Sequence, residues 1–84
     1  MMDGILKYIV RDANVDYGNK MAERHLSRIG KEYYIDTIKP QTPLIAYDDK
    51  GAYCLTSRIE ACEKTSENVV IVKAKGVKFI LQKI

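Results

Sequence analysis

The closing sixteen residues, "VVIVKAKGVKFILQKI" (69–84), restrict the possible folds more than any other stretch of this chain. With Lys75 and Gly76 at the tip of a two-residue turn, Ala74 faces Val77, Val72 faces Phe79 and Val70 faces Leu81. These six side chains make one wholly apolar face. The reverse face sets Lys73 against Lys78, Ile71 against Ile80 and Val69 against Gln82. Sliding one strand by a single residue would mix the two faces, so the pattern specifies both a hairpin and its register. The opposed lysines act against it slightly, because like charges directly across a ladder repel.

The same hairpin holds the charge excess. Residues 1–68 carry ten basic and eleven acidic side chains, whereas residues 69–84 carry Lys73, Lys75, Lys78 and Lys83 and no acid. A one-sign block of this kind is either a solvated face or a footprint for an anion.

The rest of the chain suits one small domain, 1–84, with 46% hydrophobic and 30% charged residues. So small a core gains from homo-oligomerisation. "PLIAY" and "AYCLT" flank "DDKG", good turn chemistry for a hairpin over 43–56. "RIEACE" alternates like a half-buried strand, with Ile59 and Ala61 on one side. "KEYYIDTIKPQTP" reads as a strand over 32–38, after which Pro40 and Pro43 impose an irregular connection.

"NKMAERHLSRIG" reads as a helix over 19–29. Asn19 stands at the cap, Met21, Ala22, Leu26 and Ile29 recur at helical spacing, and Gly30 closes it. "GILKYIV" fits a helical face or a short strand, and its β-branched and aromatic content favours the strand. The expected fold is α+β: one N-terminal-half helix on about five antiparallel strands, a small sheet or an SH3-like or OB-like partial barrel.

No motif announces chemistry. His25 has no second ligand at metal spacing, so a surface or boundary helix histidine is the simpler reading. Asp48 and Asp49 precede Lys50 and Gly51 in a turn, which explains them better than a carboxylate pair would. The glycines match no phosphate-binding pattern. Cys54 and Cys62 fit neither a disulfide framework nor a zinc site and read as small, partly buried apolar residues. The expectation is a protein that is not an enzyme and needs no metal or other cofactor. No apolar run is long enough for a membrane helix, and "MMDGILKYIV" reads as no secretory signal, so the cytoplasm is the expected location.

Six tyrosines and no tryptophan make the aromatic inventory lopsided. Tyr8, Tyr17, Tyr33, Tyr34, Tyr47 and Tyr53 cannot all be buried here without partners for their hydroxyls. Tyr33 and Tyr34 are adjacent and point to opposite faces of a strand, so one is expected to be exposed. Exposed tyrosines favour protein contacts and also stack nucleic-acid bases. The candidate contact residues are therefore Tyr33, Tyr34, Tyr53, Lys73, Lys75 and Lys78.

A nucleic acid is the second expectation, set back by eleven acids and the lack of a glycine–aromatic RNA-binding motif. A phosphorylated small molecule is the third. The close "TSRI…NVVIVKAKGVKFILQKI" resembles terminal hairpins of small phage and plasmid proteins. That resemblance implies a mobile-element product that inhibits a host or defence protein by occlusion, as anti-CRISPR proteins do. The leading expectation is accordingly a small protein-binding inhibitor.

Overall fold

The computed structural model describes residues 5–16 and 18–84; Tyr17 and the first four residues lie outside them. Along the chain run β1 (Leu6–Val15), α1 (Ala22–Leu26), β2 (Glu32–Ile35), β3 (Leu44–Asp48), β4 (Gly51–Thr56), β5 (Ile59–Lys64), β6 (Val69–Ala74) and β7 (Val77–Lys83). All seven strands join one curled antiparallel sheet, in the order β4-β3-β2-β1-β7-β6-β5. The sheet curls into a half-barrel with its apolar face inward.

The terminal hairpin has the register that its two faces dictate, from Val69↔Gln82 to Ala74↔Val77. Val72, Ala74, Val77, Phe79 and Leu81 are buried, with Phe79 and Leu81 at 0% exposure. Burying a side chain of this size stabilises the fold by about 1.5–3 kcal/mol. The 43–56 hairpin also forms: Tyr47 pairs with Ala52, and the Lys50 amide donates to Asp48 Oδ1 at 2.8 Å. Asp48 is thus a turn residue.

The ambiguous first segment is a strand of ten residues, Leu6–Val15, and it occupies the centre of the sheet. It pairs with β2 on one side and β7 on the other, and a bulge between Val10 and Asp12 re-aims its outer half. Six strands follow the helix where about five were expected. The helix is much shorter than 19–29, so α+β describes this sheet-dominated fold only loosely. Of the residues at helical spacing, Met21, Leu26 and Ile29 are each at least 40% exposed, while His25 turns inward. The four turn residues after Leu26 instead bring Gly30, at φ +88°, back to β1, where its amide donates to the Val10 carbonyl at 2.7 Å.

Two strand readings need correction. β2 stops at Ile35, because residues 36–43 must leave the sheet ahead of the two prolines. In β5 a bulge between Ile59 and Ala61 sends Ala61 outward and Cys62 inward.

β4 and β5 are the sheet's ends and are also consecutive in sequence. Six antiparallel pairings separate them, an even number, so they run in the same direction. Ser57 and Arg58 therefore carry the chain straight on, as one bent ribbon from the first edge to the last. Ile59 lies just past the bend. Its amide donates to the Thr42 carbonyl and its carbonyl accepts from the Gln41 amide, both at 2.8 Å, while its other side faces Ala74. Here the β2–β3 connection reaches the edge strand β5. The helix α1 packs against β1.

Candidate functional site

The tyrosines divide by strand face. Tyr33 is on the inner face, 3% exposed, opposite Tyr8. Its hydroxyl accepts from Arg28 Nη1 at 3.0 Å, and its ring meets Tyr53 edge-on at 5.9 Å. The Arg28 guanidinium lies 5.6 Å from the Tyr53 ring centre, tying both tyrosines to the turn after α1. Burial, followed by the Asp48 carboxylate, raises the Tyr53 phenol above its ordinary range. Tyr33 is therefore a core residue with a satisfied hydroxyl, and its place among the contact candidates is withdrawn. Tyr53 is half-buried beside it.

Tyr34 takes the other side. It pairs directly with Tyr47 across β2 and β3, and the two are 47% and 41% exposed. Lys7, next in the same row on β1, sets its ammonium 5.6 Å from the Tyr34 ring centre and 3.1 Å from Glu32 Oε1. That bond to Glu32 and the attraction of its carboxylate raise the Lys7 pKa. The row Lys7–Tyr34–Tyr47 is an amphipathic aromatic strip on the outside of the half-barrel. Nothing local in the sequence marks Tyr47 as a partner of Tyr34, because the irregular 36–43 connection hides the register that places it there.

The lysines lie elsewhere. Lys73 and Lys78 oppose each other on the outer face, and Lys75 projects at the tip. Lys78 pairs with Asn14 near the far end of β1. Asn14 lies seven positions along β1 from Lys7, roughly 23 Å of strand. The lysines and the exposed tyrosines are therefore two surfaces. Lys73 and Lys75 also share a shallow depression with Asp16 and Glu60, which dilutes their positive field.

His25 belongs to the interior, correcting its reading as a surface or boundary residue. It is 7% exposed, and its ring meets Phe79 edge-on at 5.4 Å. Burial, then the charges of Arg28 and Arg24, lowers its pKa. Cys54 is exposed and donates its thiol to the Thr56 carbonyl at 3.1 Å, and Cys62 is half-buried. No cluster of His, Cys, Asp and Glu suited to a metal ion occurs among the described residues, and none of their helices is long and apolar enough to cross a membrane. No protein-family model, curated protein or solved structure matches this chain.

Proposed function

We propose that this protein is a non-catalytic binding module whose partner is another protein, held at the outer strip centred on Tyr34 and Tyr47. One observation carries the reading: two large aromatic side chains sit in register on neighbouring strands, each more than two-fifths exposed. A sheet stiffened from behind by the Tyr33–Arg28–Tyr53 cluster presents them with little conformational freedom to lose. Rigid tyrosines of this kind anchor protein interfaces, and Lys7 and Glu32 supply a polar rim. A protein is favoured over a nucleic acid because Glu32 engages Lys7, the lysine in the strip itself. Binding by occlusion, as a small phage or plasmid inhibitor would act on a host protein, fits a scaffold with a preformed surface.

The test is retention from a cell extract on the immobilised protein, alongside a Tyr34→Ser/Tyr47→Ser variant of unchanged circular dichroism. The reading expects at least one protein retained by the native surface to be lost by the variant. An identical retained set contradicts it. So does tight oligonucleotide binding whose affinity falls steeply with salt, the signature of phosphate contacts.

A further inference from the structure

A groove of about 340 Å³ that the outer strip does not use lies among β1, β5, β6 and β7. Among the described residues, the edge of β5 that faces away from β6 is bonded at Ile59 alone, by Gln41 and Thr42. The floor consists of Tyr8, Ile38, Cys62 and Val70, all packed against the core. Two lysines line the same groove. Lys64 pairs with Val70 across β5 and β6, and Lys83 pairs with Tyr8 across β1 and β7.

Lys83 is the unusual one. Its strand alternates Val77, Phe79 and Leu81 inward, all buried, and the fourth residue of that series is a lysine. An inward-pointing charge is a common way to protect an edge strand from aggregation, and that would account for Lys64. β7 is not an edge; it lies between β1 and β6. The one ion pair among the described residues joins Lys7 to Glu32, so neither Lys64 nor Lys83 has a carboxylate of those residues within 4.0 Å. Among the described residues Glu67 is the one acid lining the groove, against the ammonium groups of Lys64 and Lys83.

We propose that this groove binds a small amphipathic carboxylate, its tail on Tyr8, Ile38 and Val70 and its anionic head between Lys64 and Lys83. The volume lies at the lower end of the range for ligand pockets, which suits a medium-length acyl or aryl chain and excludes a bulky lipid. Burial raises the Tyr8 phenol above its ordinary pKa.

Octanoate and octanol, equal in chain length, are the probes, followed by amide chemical shifts of the whole protein. Octanoate should give saturable shifts at Leu6, Tyr8, Ile38, Cys62, Val70 and Lys83, with a dissociation constant of about 1 mM. Octanol should bind about three- to tenfold more weakly, and a Lys64→Met/Lys83→Met variant should erase that difference. Lys83→Gln alone should remove part of it, in case the double variant is poorly folded. Equal binding of both probes to the native protein overturns the proposal. So do shifts confined to the Tyr34–Tyr47 strip, or no saturation by about 10 mM.

Discussion

The Ile59 amide donates to the Thr42 carbonyl at 2.8 Å, and this bond ties the β2–β3 connection to the start of β5, an edge strand that the strand order keeps away from both β2 and β3. Ile59 itself is 0% exposed. Truncating it opens a cavity at this contact. Ile59→Ala should cost about 2–5 kcal/mol in urea unfolding. Tyr34→Ala, on the outer face, loses its pairing with Tyr47 and strand propensity and should cost about 1 kcal/mol.

Asn19 and Gly76 form a second junction. Asn19 Oδ1 accepts from the Met21 amide, and Nδ2 donates to the Gly76 carbonyl at 2.9 Å, so one side chain ties the start of α1 to the tip of the last hairpin. Gly76 has φ +81°, and a Cβ there would collide with that same Nδ2. Gly76→Ala should therefore cost about 1–2 kcal/mol for the left-handed backbone plus the cost of the collision. In an Asn19→Ala background only the backbone cost should remain. A double-mutant cycle from urea unfolding should give a coupling of about 1 kcal/mol, and a coupling near zero would contradict the junction.

These two junctions mark where the sequence stops being informative. Val72 and Phe79 find each other because a short hairpin leaves one register that buries both. Strand alternation likewise says that Tyr33 and Tyr34 part, but not which goes inside. That is decided by Arg28, which satisfies the inner hydroxyl from a turn five residues away. The spacing of Met21, Leu26 and Ile29 suggested a longer helix, yet the short α1 buries His25 against Phe79 and leaves those three exposed. The Asn19–Gly76 contact spans 57 positions and has no local signal. The groove is equally hidden, since Lys83 looks like one more solvated lysine until β1 and β6 are placed on both sides of its strand.

His25 should impose a pH dependence. Its folded pKa is held below the ordinary 6.5 by burial and by Arg28 and Arg24. As pH falls through 6.5 the unfolded chain takes up a proton that the folded chain resists, so stability declines until the lower folded value is passed. Above that window the histidine has no effect. Urea unfolding between pH 7.5 and 5 should show a steeper loss for the native protein than for His25→Leu. Parallel losses would mean that the imidazole is not held neutral.

Lys73 and Lys78 face each other with no carboxylate bonded to either among the described residues. Lys73→Gln should leave stability unchanged or raise it by up to about 0.5 kcal/mol at low ionic strength, with the gain vanishing near 1 M salt. Replacing Lys73, Lys75 and Lys78 together by glutamine should leave the fold intact. It should weaken binding of an acidic partner more at low salt than at high, chiefly through the association rate.

The central claim is that partner contact is made at the outer tyrosine strip, roughly 23 Å along β1 from the lysine tip. A photoreactive benzoylphenylalanine placed singly at positions 34, 47, 73 and 78 tests it most directly in a cell extract. The account predicts a cross-linked protein of one mass from positions 34 and 47, with the yield falling sharply at 73 and 78. Cross-links from 73 and 78 with none from 34 and 47 would contradict it.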